Sequence, residues 1–453
     1  MMTQAKPVSA QLSNIPTPFL TFADHGMYLA HQAGGQHAVI QVLWRFRRPV
    51  DLDALTRFYG HLAHGRLARL IRPAQLPFGR HQWSSAPRPS PVLAVAADPI
   101  SPVALQSWAD AQVELPLDPT LGPAWNFTVQ PLTDGSTVAS LVVSHCIADG
   151  MAATLAIGEA VRGERWPSVD VAGNLSKEIL RILKDMPTTF RALAELIRTV
   201  WAARSQTRLT KASPATITAN DQTVAFPSVF IRVPISDWDA RAASLGANRL
   251  ALLAAVTAAF AEALGRVRDG HVTLLFPVNQ RDGLSDSGGN RVSLATFKVP
   301  VDEPRGRLHQ LQRRLQAALL KTRREPDSLA KLMPLVPFVP RRAFSTAGRL
   351  ALGALADLPV TCSHSGDLPA DVLMIDGIAA DRICFRGIDR KLPRHAIEER
   401  QGVATLHSGL IPGFLLLNFV AYQPGVVTEP RHLRAIVERL LAAYDLAGES
   451  FDG

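Results

Sequence analysis

The run Val142-Val143-Ser144-His145-Cys146-Ile147-Ala148-Asp149-Gly150 decides more about this chain than any other stretch. An apolar run ends in a histidine, and an Asp-Gly pair follows four residues later, ahead of a series of small residues. That order suits a base. An imidazole that removes a proton needs a ring nitrogen within about 3 Å of it and a fixed tautomer. A tight turn after a strand exposes the ring, and an aspartate four positions on can turn inward to brace it. Gly150 is expected to let the backbone double back where a side chain would clash. The flanks agree. Trp125 to Gln130 and Thr137 to Ser144 read as paired strands joined through Leu132-Thr133-Asp134-Gly135. Alternation puts Val143 and His145 on one face, Ser144 and Cys146 on the other. Met151 to Val161 reads as a buried helix begun by Asp149.

Plainer readings fit the same residues taken alone. Asp149 is then an N-cap and His145 a hydrogen-bonded core residue. A metal site is the poorer alternative, because no further His or Cys cluster supplies the missing ligands. Ser144 and Cys146 make poor nucleophiles for His145, since neighbours on an extended strand point apart.

Two stretches far downstream tip the balance. Leu274-Leu275-Phe276-Pro277-Val278-Asn279-Gln280-Arg281 is a buried-strand pattern ending in arginine, followed by a Gly/Ser/Asp loop and Gly289-Asn290-Arg291-Val292-Ser293. Cys362-Ser363-His364-Ser365-Gly366-Asp367-Leu368-Pro369 comes later. With the first stretch, these resemble the CoA-dependent acyltransferase superfamily and its HHxxxDG motif. The resemblance is greatest to the bacterial wax ester synthase/diacylglycerol acyltransferases. There a P-V-x-x-R strand precedes a G-N-x-V-S segment and an S-N-x-G loop. Ser144 stands in place of the first motif histidine, and His364 where asparagine is usual. In this superfamily the second histidine is held responsible for catalysis, and His145 matches it.

The resemblance implies an α/β (α+β) fold of two chloramphenicol-acetyltransferase-like domains in a V with a central tunnel. It implies His145 as general base, with Asp149 in a structural ion pair with Arg281 and Gly150 supporting the turn. Ser144, Asn290, Ser363, Ser365 and Gly366 are then the candidates for tunnel wall and oxyanion contact. No cofactor or metal is expected; the co-substrate is an acyl-CoA or an acyl-carrier thioester.

Composition bounds the rest. At 453 residues the chain has room for two domains, each with its own core. Hydrophobic residues make up 47% and charged ones 19%, which excludes a disordered chain. A net charge of +9 suits an anionic partner: CoA phosphates, a phosphopantetheine carrier protein, acidic lipid or nucleic acid. Nucleic acid ranks last, because no nucleic-acid motif is present and aromatics are only 6%. Cys146, Cys362 and Cys384 have no metal spacing and read as buried thiols in a reducing cytoplasm. The first twenty residues hold no apolar run of signal-peptide type, and no run reaches the roughly 18 residues of a spanning helix. A cytoplasmic protein, peripheral on the inner face of the membrane, is the expectation.

The chain divides into an N-terminal domain over 1–206, a crossover linker over 207–222 and a C-terminal domain over 223–453. Phe19 to His31, with Asp24 and His25, resembles the start of the wax ester synthase domain. Ser176 to Ser205 is helical in pattern, with Ile179, Leu183, Met186, Phe190, Leu193, Ile197 and Trp201 at three- and four-residue spacing. That stripe is expected to pack on its own domain, with docking on lipid as the alternative. The proline-broken segment Leu332 to Val339, beside Arg313-Arg314, Arg323-Arg324 and Arg341-Arg342, reads either as a lid or loop docking on anionic membrane or as a packed interdomain connector.

Three functions stay open. One is fatty acyl transfer from CoA to a hydroxyl acceptor such as a long-chain alcohol or diacylglycerol. Another is a polyketide- or peptide-associated acyltransferase or condensation enzyme using a carrier-bound acyl group on a specialised metabolite. The third is a non-catalytic binding or scaffold protein, in which Ser144 marks decay.

Overall fold

The computed structural model describes residues 18–34, 37–85, 93–167, 175–204, 223–281, 283, 286–301, 308–325, 328–340, 358–390 and 392–451. The first half runs α1 (Phe22–Gly34), β1 (His37–Phe46), α2 (Leu52–Ala63), β2 (Leu70–Arg72), β3 (Gln82–Ser84), β4 (Leu93–Val95) and α3 (Leu105–Val113). The hairpin β5 (Trp125–Pro131) and β6 (Thr137–Ser144) follows, then α4 (Gly150–Val161) and α5 (Leu175–Arg204). The second half opens with β7 (Ser228–Pro234), α6 (Ile235–Ser244), α7 (Arg249–Ala263), β8 (His271–Asn279) and β9 (Val292–Pro300). It continues through α8 (Leu308–Arg324), α9 (Ser328–Leu332), β10 (Val360–Asp367), β11 (Arg382–Arg390) and α10 (Arg394–Glu399). The last elements are β12 (Val403–Ile411), β13 (Phe414–Tyr422), α11 (Pro430–Ala443) and β14 (Glu449–Ser450). The linker expected over 207–222 lies outside the described residues.

Two sheets organise these elements. One has the order β11-β1-β6-β5-β4, the other β14-β7-β13-β12-β10-β8-β9. Each has its own core: Trp44, Phe58, Phe127, Leu141, Val143 and Ile157 in the first, Trp238, Val256, Phe260, Leu274, Leu406 and Phe419 in the second. Strand β6 is buried at every residue because both its faces are covered, which is why its sequence is an apolar run with little alternation. Helix α7 is apolar all round for the same reason: sheet, α8 and α11 enclose it.

Strand β11 belongs to the second half by sequence and to the first sheet by hydrogen bonding. It pairs antiparallel with β1 from His37↔Arg390 to Arg45↔Arg382. Arg386 anchors it with a buried guanidinium. Its Nε donates to Gln41 Oε1 at 2.7 Å, and its Nη1 reaches Ser228 Oγ at 3.0 Å and Asp110 at 2.7 Å. A guanidinium carries several donors and no acceptor, so burying it takes partners from several elements at once; here β1, β7 and α3 supply them.

Helix α5 departs from the sequence expectation. The side it turns to the protein is Glu178, Ile182, Asp185, Thr189 and Ala192, all buried or half-buried. Its apolar stripe stays outside, from Ile179 and Leu183 to Phe190 and Trp201, the last two 60% and 73% exposed. The reason is polar anchoring. The Glu178 carboxylate accepts from the backbone N–H of Gln75 and Leu76 and from Gln82 Nε2, and Asp185 pairs with Arg80 and Arg181. Beyond α9, residues Met333–Phe338 form a 3₁₀ turn with Val336 buried and Phe338 stacked on Phe78 at 5.3 Å between ring centroids. Arg341-Arg342 lies outside the described residues.

Candidate active site

Strand β6 hands over to α4 through a turn that holds His145. The His145 N–H donates to Ala38 O at 2.9 Å, and Ile147 N donates to Ser144 O at 3.0 Å to close the turn. Asp149 caps α4: its Oδ1 accepts from Ala152 N at 2.8 Å. Gly150 corrects an expectation. A methyl at that position meets nothing within 4 Å and φ is not left-handed, so the turn does not require glycine there.

The second Asp149 oxygen and its charge face the other half of the chain. Arg281 donates from Nη1 to Asp149 Oδ2 and from Nη2 toward Oδ1, each at 2.9 Å, with the two side chains only 2% and 5% exposed. Oδ2 also accepts from Arg291 N at 3.0 Å. Arg281 Nη2 further donates to the carbonyls of Gly288 and Gly289. A bidentate guanidinium–carboxylate pair of this kind fixes direction as well as distance.

The Gly289-Asn290 segment then grips the histidine turn from below. Gly289 O accepts from Asp149 N at 2.7 Å, and Asn290 Nδ2 donates to His145 O at 3.0 Å. Asp24 at the start of α1 completes the clasp by accepting from Asn290 N at 2.6 Å. Glycine is required at 289: a Cβ would stand 2.7 Å from both Asp24 Oδ1 and Ile147 O.

Above this base His145 lines a cavity of about 190 Å³ with Met27, Ala30, Ala38, Cys146 and Asp389. The register explains the grouping. Ala38 pairs with Asp389 across β1–β11 and takes the His145 N–H on its other side. Asp389, Ala38 and His145 thus form a row across β11, β1 and the turn that follows β6. Asp389 also lines a second cavity of about 200 Å³, with Asp110, Val113, Glu114, Val224, Phe226 and Ile388. Burial raises the Asp389 carboxyl above the usual range, while Arg400 and His145 pull it down. Cys146 is no nucleophile here: burial pushes its thiol up to about 12.

His407 on β12 adds a second imidazole nearby. Its Nε2 accepts from Gly387 N at 3.2 Å. Burial first, then the charge of His145, lowers it to about 4. His25, stacked on His81 at 4.1 Å, is lowered to about 3 by burial, then by His81 and Arg80. Both are neutral in the folded chain where the unfolded chain, near 6.5, already takes a proton. The unfolded state therefore binds more protons below that value, and stability falls with pH. Thermal melts are expected to move down as pH drops from about 6.5 toward 4. His407→Asn should flatten that slope; a slope unchanged in this variant would assign it to other groups.

Of the oxyanion candidates, none lines the His145 cavity. Ser144 is 3% exposed, and its hydroxyl accepts a long bond from Cys146 N. The Asn290 amide is committed to Asp24 and the His145 carbonyl. Ser363 sits opposite His407 in the β10–β12 register. Ser365 and Gly366 lie where that register breaks. His364 turns to the other face and bonds Ser408 Oγ at 2.8 Å. Asp389, His407 and the clasp role of Asp24 escaped the sequence reading. The one signal for His407 was a polar residue at an alternate position of β12, between Leu406 and Ser408.

No protein-family model matches the chain, and no curated protein does. Solved structures do match. The first condensation domain of the CDA synthetase aligns over 96% of this chain and 100% of that domain, at 16% identity and a TM-score of 0.60. The starter condensation domain of rhizomide synthetase, a mutant in complex with C8-CoA, covers 97% of each chain at 16% identity and 0.55. Polyketide synthase associated protein 5 from Mycobacterium tuberculosis aligns over 94% of this chain and 98% of its own, at 15% and 0.55. The chain spans 46% of the length of a nonribosomal peptide synthetase that it matches at 18% and 0.56. Such identities speak to fold. The chain has a condensation-domain-like fold, in the mixed α/β class expected of it.

Proposed function

We propose that the protein transfers an acyl group from a thioester to a hydroxyl or amine acceptor, with His145 as general base. One observation carries the reading: His145 lines a cavity on a turn clasped by Asp149, Arg281, Asn290 and Asp24 from both halves of the chain. The neutral ring takes the acceptor proton as the oxygen or nitrogen attacks the thioester carbonyl. The tetrahedral oxyanion collapses, the C–S bond breaks, and the thiolate leaves with the proton from the imidazolium. The gain comes from orientation plus base catalysis, with no covalent enzyme intermediate. Asp389, across Ala38, supplies a carboxyl whose ionised form favours the imidazolium.

A carrier-bound acyl donor, as in a condensation enzyme, is the favoured form. The support is the likeness in fold to condensation domains and to a polyketide synthase associated protein. Fatty acyl-CoA transfer to a long-chain alcohol or diacylglycerol is the second reading, supported by the exposed apolar stripe on α5. Purified protein supplied with acyl-CoA or acyl-carrier thioesters and hydroxyl or amine acceptors should release thiol only when an acceptor is present. A higher kcat/KM for the carrier thioester is expected. Absence of thiol release with every donor and acceptor would leave the binding or scaffold reading.

A further inference from the structure

The face that α5 leaves uncovered demands an occupant. Leu175, Ile179, Leu183, Met186, Phe190, Leu193, Ile197 and Trp201 are 39 to 73% exposed along a helix of 30 residues. A rise of about 1.5 Å per residue makes this stripe about 40 Å long. A helix that serves only its own fold turns such a stripe inward. Here the inward side is anchored instead by Glu178 and Asp185, so the apolar side is held out by buried polar bonds. The stripe does not stand alone. The 3₁₀ turn Met333–Phe338 packs on α5, and the stacked rings of Phe78 and Phe338 are 57% and 41% exposed.

Charge selects the occupant. Lys177, Lys184 and Arg191 are exposed on the helix, while its three acids are all engaged: Glu178 and Asp185 by the protein, Glu195 by Arg198. Arg323, Arg324 and Lys331 add exposed positive charge on the segments just before the 3₁₀ turn. A second copy of the helix would bring basic flanks against basic flanks, without the opposite charges that set helix pairing. An anionic bilayer offers the complement to both features: hydrocarbon for Phe190, Ile197 and Trp201, and negative headgroups for the basic side chains. No single helix among the described residues is long and apolar enough to cross a membrane. We infer that α5, with the Phe78–Phe338 stack, lies in the surface of an anionic membrane and docks the protein there reversibly.

This docking is independent of the acyl-transfer reading, and its test contains no thioester. The full chain is mixed with phosphatidylcholine vesicles, with and without phosphatidylglycerol, and floated through a density gradient. Binding is expected to the anionic vesicles and to weaken as salt rises. Each basic side chain near the surface is worth about a five-fold change in partitioning, so Lys184→Glu with Arg191→Glu should cost at least about 20-fold. Phe190→Glu with Ile197→Glu should abolish binding; both positions are exposed, so melting should be unaltered. Trp201 should show a blue-shifted emission on binding, read as the difference from Trp201→Phe. Binding unchanged by either double variant, or absent from anionic vesicles, overturns the inference. So does a dimer in sedimentation equilibrium that Phe190→Glu with Ile197→Glu dissolves while vesicles capture nothing, which would assign the stripe to a second copy.

Discussion

Replacing His145 with alanine is expected to lower turnover by about 100-fold or more while leaving the fold and its melting temperature nearly unaltered. The separation of the two effects follows from how the residue is held. Its backbone carries the structural bonds, with N–H to Ala38 O and carbonyl to Asn290 Nδ2. Its ring nitrogen Nδ1 is buried without a hydrogen-bond partner among the described residues, so removing the ring strands no partner there. The measurement is acceptor-dependent thiol release beside a thermal melt. A second readout guards against a trivial loss: the charge of His145 helps hold His407 low, so the His407 titration should shift upward in the variant. Burial remains the larger cause, and the shift should be partial. Near-normal turnover in His145→Ala would remove the base from the mechanism altogether.

What could be read in the sequence was what local pattern encodes. The hairpin, the N-cap at Asp149 and helix α4 follow from alternation, turn residues and small apolar spacing, and they stand where the pattern puts them. Contacts between distant segments were legible only through resemblance, as with Asp149 and Arg281, 132 residues apart. Where resemblance was silent, they were missed. Nothing local says that Arg382–Arg390 joins β1, yet that pairing brings Asp389 beside His145. Periodicity likewise reports that α5 carries an apolar stripe without reporting its direction. Direction was decided by Glu178 and Asp185, whose partners Gln75, Leu76, Gln82 and Arg80 are some 100 residues upstream. Gly150 failed differently. Its motif position invited a steric argument, whereas the glycine that sterics require is Gly289, against Asp24 and Ile147.

The largest stability effect is expected at Asp149 and Arg281. Side chains only 5% and 2% exposed have little water to fall back on, so removing either partner strands a buried charge at a cost of about 3–5 kcal/mol. An exposed pair would be worth a small fraction of that. Asp149→Asn is the informative variant, because asparagine caps a helix as well as aspartate does and the Ala152 N–H keeps its acceptor. The loss it causes then belongs to the ion pair and to the Arg291 N–H that loses its acceptor, not to the cap. Arg281→Met removes the other charge and frees the Gly288 and Gly289 carbonyls. With both changed, no buried charge is left unpaired, and the double variant should be more stable than the sum of the single losses implies. Denaturant unfolding of the four proteins measures the coupling. Activity should follow it, since the segment that Arg281 holds also places Asn290 under the His145 carbonyl. Strictly additive losses would mean that the two side chains do not act as a pair. The clasp on the histidine turn would then rest on Asp24 and Asn290 alone.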